Sequence, residues 1–307
     1  MKRLIPYVAV VTAMLIWAGA GIAVKEALVL FSPLTLIVLR FTLAVLLMLV
    51  VGLIFRQNDI LGLQLVAKRD IPLFLLGGLF QPFLYFIFET YTYQSFASPT
   101  IAEAMLSTQP VLAPIFAFLL LRERVTRNNI LGIFLSTIGM LLLLLVGSDT
   151  FSLGSPWGIL LAIVTVSMSV SYSVILRRIP TRYSSLSIVF YVQSFSLLLF
   201  YIVWAVMGEA SIVMRNSALL LQHSTQLFHS GIAVLYLAIF ASVTAFVLFC
   251  YTVRKIGVTR ANVFNNVRPV FTAMLMWLIF DEVLPIWKLI GIIIIIVGLF
   301  ISQKVGK

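Results

Sequence analysis

The two halves of this chain carry the same residues at the same spacing. One offset of 159 residues aligns four pairs, Pro110 with Pro269, Glu123 with Glu282, Gly132 with Gly291 and Gly139 with Gly298. Self-similarity at a fixed offset is the mark of a duplicated structural unit. We therefore predict two repeats as the domains of the chain, residues 1–148 and residues 149–307.

Both repeats are too apolar for a water-soluble domain. Apolar residues make up 62% of the chain and charged residues 10%, with a mean hydropathy of +1.14, whereas soluble domains carry roughly 25% charged residues. Apolar runs recur that are long enough to cross a bilayer core of about 30 Å. We predict an all-α polytopic membrane protein with ten transmembrane helices, five in each repeat. The predicted spans are Pro6–Leu28, Pro33–Phe55, Ile71–Tyr91, Pro99–Leu121, Ile130–Val146, Pro156–Leu176, Ser184–Met207, Gly231–Tyr251, Thr259–Phe280 and Leu284–Ser302.

The basic residues predict the orientation of these spans. Between the ten spans, sixteen of the 21 Lys and Arg residues fall on the side of the N-terminus and three on the other side. The positive-inside rule then places both termini in the cytoplasm. We expect the membrane to be a bacterial inner (plasma) membrane. The net charge of +11 therefore reflects the orientation of the spans in the lipid bilayer, and no nucleic-acid partner is expected. Because each repeat has an odd number of spans, the two repeats are predicted to be inverted, as in many secondary transporters.

Four charged residues fall inside predicted spans, namely Arg40, Glu89, Glu103 and Arg268. A charge at the centre of a membrane helix costs roughly 2.5–3.5 kcal/mol on insertion scales, so each one needs a partner or a wet cavity. We interpret Arg268 and Arg40 as contacts to an anionic group of a small-molecule substrate. Glu103 and Glu89 are candidate proton-coupling acids. The alternative is structural, with Arg40 paired to Glu103 or Glu89 to fix helix packing.

Polar residues share one face of the fourth span and one face of the ninth. In the fourth span, Glu103, Ser107, Pro110 and Pro114 recur at helical spacing, and the 159-residue offset matches this face to Asn262, Asn265, Asn266 and Pro269. We predict that these faces line a cavity, with Ser107, Gln109, Asn262 and Asn266 as substrate contacts. A proline inside a helix removes one hydrogen bond, so Pro110 and Pro269 are candidate hinges. The alternative is that the prolines only kink helices for packing.

Three aromatic residues are candidate walls for an organic substrate, namely Trp17, Tyr85 and Tyr172. Aromatic side chains are also common in belts at the membrane surface, which is the alternative interpretation. The fifth and tenth spans lack a polar face and are predicted to pack outside the bundle. Their glycines predict close helix contacts, and a homodimer through them is a further possibility.

Motifs of catalysis and cofactor binding are missing from the sequence. It contains no His-Glu-x-x-His, no Gly-x-Ser-x-Gly and no P-loop, so neither an enzyme nor a nucleotide-driven pump is expected. The two histidines, His223 and His229, are not spaced for one helical face, and the one cysteine is Cys250. No metal and no cofactor are predicted.

The paired motifs resemble a known family. Each half has a helix with a central proline, an acidic residue at its end and a Gly-x6-Gly helix, and the first half adds Trp17-Ala18, Ser32-Pro33-Leu34 and Arg40-Phe41. This pattern resembles the EamA-type transporters of the drug/metabolite transporter superfamily across essentially the whole chain. The resemblance implies transport of amino acids, metabolites or drugs and, in related branches, nucleotide sugars or phosphorylated compounds. Val192-Gln193 lies where a second Arg-Phe pair would be expected, so the role of Arg40 is not duplicated.

Together these observations predict a secondary active transporter that exports a small metabolite or amino acid by alternating access. Proton coupling is a hypothesis that depends on Glu103 and Glu89. The alternatives are a uniporter or exchanger, a flippase for a lipid-linked substrate, and a membrane scaffold that transports nothing.

Overall fold

The computed structural model describes residues 4–58, 61–95, 105–106, 108–145, 156–208, 224–280 and 286–303. Within these ranges the chain is helical, with connecting turns and loops and no β-strand. Seven of the described helices are long and apolar enough to cross a membrane, and shorter apolar helices accompany them. The fold is therefore an all-helical, multi-pass membrane protein, and the count of ten spans stays a prediction.

The first half contains two long helices, α1 (Ile5–Ala27) and α2 (Pro33–Ile54). The predicted third span consists of α3 (Ile71–Gly78), a π-helical stretch that we call the first π segment (Leu79–Leu84), and α4 (Tyr85–Ser95). Two further helices follow, α5 (Gln109–Leu121) and α6 (Arg127–Leu145).

The second half contains α7 (Pro156–Arg178) and α8 (Ser185–Val206). Its predicted eighth span consists of α9 (Ser224–Tyr236), the second π segment (Leu237–Thr244) and α10 (Ala245–Ile256). The predicted ninth span is also divided, into α11 (Val258–Val263), a 3-10 turn (Phe264–Val267) and α12 (Arg268–Phe280). The last helix is α13 (Ile286–Gln303).

The repeat is visible in the way equivalent helices begin. Ser32 and Ser184 both have extended backbones, and each side chain accepts a hydrogen bond from the backbone N–H three residues later, Thr35 and Ser187 respectively. A serine in this position satisfies one of the free N–H groups at a helix start. The same cap therefore opens α2 in the first half and α8 in the second.

The third and eighth spans were predicted as continuous helices, and the structure corrects this prediction. In the first π segment, Gln81 leaves helical geometry with φ −149° and ψ 124°, directly before Pro82. A proline cannot donate a helical hydrogen bond, which explains an interruption at this point. The second π segment has no proline, and its sequence alone gives no sign of a wider turn. Both interruptions lie at the same place in their repeats.

The two candidate hinge prolines lie at helix starts rather than in the middle of helices. Pro110 is in the first turn of α5, and Pro269 is the second residue of α12. In the first turn of a helix, a missing N–H removes no internal hydrogen bond. The carbonyl of Asn265, four residues before Pro269, accepts a bond from the Arg268 N–H. The breaks therefore precede the prolines, and the hinge role stays a prediction.

The glycines of the fifth and tenth spans contact each other within one chain. A Cβ atom added at Gly132 would lie 2.4 Å from the carbonyl oxygen of Gly298, and one at Gly139 would lie 2.6 Å from that of Gly291. Such short distances show that the backbones of α6 and α13 touch. These glycines are thus covered by the chain's own helices, which corrects the idea that they offer a surface to a second copy; the homodimer itself stays a prediction.

Candidate functional site

Arg40 lies inside the protein at the contact between the two halves. It is 6% exposed on α2, and its Nε donates a hydrogen bond of 3.1 Å to the Oγ of Ser242 in the second π segment. Its guanidinium carbon lies 5.0 Å from the ring centroids of both Phe41 and Phe86. Cation–π contacts of this kind attract the charge to the ring faces. The side chain is therefore held by both repeats and by two rings.

Tyr85 and Glu89 lie next to this arginine. The Tyr85 hydroxyl donates a hydrogen bond of 2.8 Å to Glu89 Oε1 on the same helix, α4. Both side chains interact electrostatically with Arg40. Three of the predicted site residues are thus close together in the fold. This arrangement is compatible with both roles predicted for Arg40, which are substrate binding and charge pairing within the bundle.

Gln193 and Ser242 complete this cluster, and Ser242 was not among the predicted site residues. The Gln193 Nε2 donates a hydrogen bond of 2.7 Å to the backbone oxygen of Ser242, and both residues are completely buried. Ser242 therefore contacts α2 through its hydroxyl and α8 through its carbonyl. We call Arg40, Tyr85, Glu89, Gln193 and Ser242 the midspan cluster.

Trp17 and Tyr172 both lie close to Phe246. The Trp17 ring centroid is 5.3 Å from that of Phe246, and the Tyr172 centroid is 6.3 Å from it. Trp17 Nε1 also donates a hydrogen bond of 3.0 Å to the carbonyl of Ala241 in the second π segment. The Tyr172 hydroxyl is buried and has no hydrogen-bond partner among the described residues. These two predicted residues form an aromatic group next to the midspan cluster.

The asparagines of the ninth span bond to protein groups. Asn262 Nδ2 donates to the carbonyl of Val258, four residues back, and Asn265 Nδ2 donates to the carbonyl of Asn262. Asn266 Nδ2 donates a bond of 2.8 Å to Ser136 Oγ on α6. These amides hold the broken ninth span together and tie it to α6. Their predicted contact with a substrate stays a prediction.

Two further predicted residues, Gln109 and Arg268, lie at the starts of α5 and α12. Gln109 is 5% exposed at the start of α5, and Arg268 is half-buried at the start of α12. Glu103 and Ser107 lie outside the described residues. No group of three or more possible metal ligands occurs in the part of the chain that the structure describes.

Polar contacts also join the two halves at one end of the bundle. We call this the basic end, and it comprises the loops and helix ends at residues 61–70, 122–126, 177–184 and 254–257. Asp70 accepts hydrogen bonds from the Arg182 guanidinium and, at 2.7 Å, from the Tyr183 hydroxyl. Gln64 Oε1 accepts a bond of 2.7 Å from the N–H of Ser184. Asp70 and Gln64 therefore join the first half to residues 182–184 of the second half.

Glu123 contributes a further contact between the halves at the basic end. Its Oε1 accepts a bond of 3.1 Å from the N–H of Val258, and Oε2 accepts one of 3.4 Å from the N–H of Thr259. A carboxylate at this position satisfies free N–H groups at a helix start. Gly257 precedes the helix with φ +92°, and a Cβ there would lie 3.0 Å from Glu123 Oε1. The acidic residue that ends the fourth span therefore caps the ninth span.

Comparison with known proteins identifies the family. The EamA-like transporter family matches the chain at residues 4–145 and again at residues 156–303. The chain therefore belongs to the EamA-like transporter family, as its paired motifs suggested. The family contains transporters, which are not enzymes.

Relatives and a solved structure agree with this assignment. The uncharacterized transporter YetK of Bacillus subtilis (strain 168) is 28% identical over 305 residues, which cover 98% of this chain and 87% of YetK. The uncharacterized transporter YyaM of the same organism is 26% identical over 282 residues, or 90% of this chain and 86% of YyaM. A protein of known crystal structure shares the fold with a TM-score of 0.76 at 20% identity, covering 97% of this chain and 98% of that one.

Proposed function

We propose that this transporter moves a small polar metabolite or amino acid outward by alternating access between its two halves. The observation that carries the proposal is the midspan cluster, in which buried polar and charged side chains from both halves meet at membrane depth. Such groups are costly in a bilayer and mark substrate or ion pathways by default. A scaffold that transports nothing has no need of them.

The chemistry of the cluster favours a substrate with an anionic group. Arginine keeps its charge when it is buried and can bind a carboxylate through two parallel hydrogen bonds. In this proposal Arg40 binds that group, and Tyr85 with Glu89 form the adjacent wall. Arg268, at the start of α12, is a second candidate for the same contact.

The basic end supports a mechanism in which the two halves separate at one side of the membrane at a time. Asp70, Gln64 and Glu123 each bond to the opposite half there. In the proposed topology this end is cytoplasmic, both termini face the cytoplasm of a bacterial inner membrane, and the repeats are inverted. Opening toward the cytoplasm then requires these contacts to break. We further propose that Glu103 or Glu89 couples transport to protons.

Uptake into proteoliposomes of the purified protein tests the proposal. The assay uses a panel of labelled amino acids and small organic anions, with and without an imposed pH gradient. We expect at least one compound to accumulate above its equilibrium level, and accumulation to collapse when the gradient is dissipated. A Glu103→Gln variant and a Glu89→Gln variant then show which acid is needed.

Other outcomes favour the alternatives. Equilibration without accumulation, unchanged in both glutamine variants, indicates a uniporter or exchanger and ends the proton-coupling proposal. Lack of flux for every compound, together with movement of a fluorescent lipid between leaflets, indicates a flippase. An apolar groove of about 410 Å³ between α2 and α9, lined in part by Leu39 and Leu235, is the feature of this structure that such a result would direct attention to. Lack of both activities would indicate a scaffold.

A further inference from the structure

We propose that Gln193 and Ser242 are positioning residues for Arg40. In this proposal they hold the second π segment in place so that it fixes the orientation of the guanidinium. The inference rests on the proposed function, in which Arg40 contacts the substrate. It adds two residues, one from each of two helices in the second half, that act on a charge from the first half.

The second π segment presents two consecutive carbonyl groups to side chains. The Ala241 carbonyl accepts a hydrogen bond from Trp17 Nε1, and the Ser242 carbonyl accepts one from Gln193 Nε2, at 3.0 Å and 2.7 Å. A π-helical turn departs from regular helical hydrogen bonding, and buried carbonyls need donors. Side chains from α1 and α8 supply these donors here. The segment is therefore fixed from both halves of the molecule.

A glutamine at position 193 carries a cost in folding free energy. Its side chain is completely buried, and its Oε1 has no hydrogen-bond partner among the described residues. A buried acceptor without a partner costs free energy that an apolar side chain of similar size would avoid. The feature that sets glutamine apart from such a side chain is the Nε2 bond to Ser242. We infer that this bond is the reason for a polar residue at position 193.

Ser242 passes this restraint on to Arg40. Its hydroxyl accepts from Nε, which lies on one edge of the guanidinium plane, while Phe41 and Phe86 lie 5.0 Å from the guanidinium carbon. The bond and the two rings together define the position and the direction of the group. Lysine has no equivalent of Nε and no planar fork, so it would keep the charge and lose the orientation.

The duplicated helices show why the support comes from the second half. Arg40 lies eight residues after the capping Ser32, and the same step from the capping Ser184 leads to Val192, with Gln193 next to it. The first repeat therefore supplies the charge, and the second repeat supplies a neutral donor at nearly the same level. Both side chains reach the same residue, Ser242.

A double-mutant cycle on thermal unfolding in lipid nanodiscs tests the coupling without any substrate. We expect Arg40→Lys and Gln193→Met to destabilise the protein less in combination than the sum of their separate effects, because the second change acts on an interaction already lost. Arg40→Lys and Ser242→Ala should behave in the same way. The matched control is Ser173→Ala, a buried serine whose hydroxyl bonds to Ser169 in its own helix, and it should be additive with Arg40→Lys. Additivity of the Gln193 and Arg40 changes would overturn the proposal.

Transport kinetics separate positioning from a general loss of stability. For the labelled compound that accumulates in proteoliposomes, Ser242→Ala and Gln193→Met should raise the KM about tenfold with the maximal rate within about twofold. Ser242→Thr keeps a hydroxyl and should restore the KM, and Ser173→Ala should leave it unchanged. An unchanged KM in Ser242→Ala and Gln193→Met contradicts positioning. If wild-type protein transports nothing on the panel, the proposed function fails, whereas the unfolding cycle still decides whether these residues act on Arg40.

Discussion

The α6–α13 pair and the two π-interrupted spans show opposite uses of an apolar helix. The helices α6 and α13 are each continuous, and glycines bring their backbones into contact at two levels. The third and eighth spans are each broken by a π segment, and their neighbours contact them through side-chain hydrogen bonds. The α6–α13 contact combines close backbone packing with one buried bond of 2.6 Å from Asn129 Nδ2 to the Ser302 carbonyl, whereas the interrupted spans are joined to their neighbours by side-chain hydrogen bonds at several points.

The difference follows from what each region has to do in a membrane. Close backbone contact between small residues allows extensive van der Waals packing between two membrane helices. A π segment leaves carbonyl groups that can bond to one partner or another. We therefore interpret α6 and α13 as a scaffold held by backbone contact, and the interrupted spans as the region whose polar contacts position the residues of the proposed substrate site.

We expect Gly298→Val to have the largest effect on stability, because Gly298 lies in the contact between α6 and α13. A Cβ at this position would lie 2.5 Å from the Ser136 nitrogen and 2.7 Å from the Gly132 oxygen, and both are backbone atoms that cannot turn away. We expect a loss of about 3 kcal/mol or more, with poor recovery of folded protein. The measurement is thermal unfolding and size-exclusion chromatography in detergent. A variant with wild-type stability would show that α6 and α13 are not in rigid contact.

The scaffold was also the region that the sequence predicted best. Two glycines in each half, at one spacing and one offset, were enough to predict a close helix contact. The sequence could not show that each glycine pair would meet the other within one chain, since a second copy offers the same surface. Which helices pack against each other depends on the packing of the whole bundle, so the local sequence does not reveal it.

Gly78→Ala should give the next largest effect, at the junction of α3 and the first π segment. A Cβ there would lie 2.6 Å from the Val192 carbonyl oxygen on α8, and the Gly78 carbonyl accepts a bond of 2.7 Å from Ser196 Oγ. We expect a loss of about 2 kcal/mol from the displaced backbone. Ser196→Ala, which removes only the hydroxyl, should cost about 1 kcal/mol. Equal losses in the two variants would mean that packing at Gly78 contributes nothing beyond the hydrogen bond.

The interrupted spans were the region that the sequence predicted least. Pro82 marks the first π segment, but Leu237–Thr244 contains neither proline nor glycine and reads as an ordinary apolar helix. Ser242 was missed for the same reason, because a single serine in an apolar run gives no sign of the side chains that will meet it. Arg40 and Glu89 were predicted because charges are rare at membrane depth, and Tyr85 was predicted as an aromatic wall, whereas a single hydroxyl gives neither signal.

Glu123→Gln should have a smaller effect, and it tests whether the interrupted ninth span is also held at its end. The neutral amide still offers an oxygen to the N–H of Val258, but it loses the charge that favours a helix start. We expect a loss of about 1 kcal/mol, measured as a lower unfolding temperature in nanodiscs. The control is Glu123→Asp, which keeps the charge and shortens the reach. If both variants match wild type, the basic end is held by Asp70 and Gln64 without help from Glu123.

We expect Gly21→Ala to have the smallest effect on stability and to stabilise the protein. This glycine lies in α1, and a Cβ added there meets no other atom within 4 Å. Alanine has the better helix propensity, and we expect a gain of about 0.5–1 kcal/mol, measured as a higher unfolding temperature in nanodiscs. The comparison with Gly298→Val then separates a glycine that is only tolerated from one that the packing requires. A loss of stability in Gly21→Ala would mean that α1 is in close contact with a part of the protein outside the described residues. In that case the scaffold would have to include α1 as well as the α6–α13 pair.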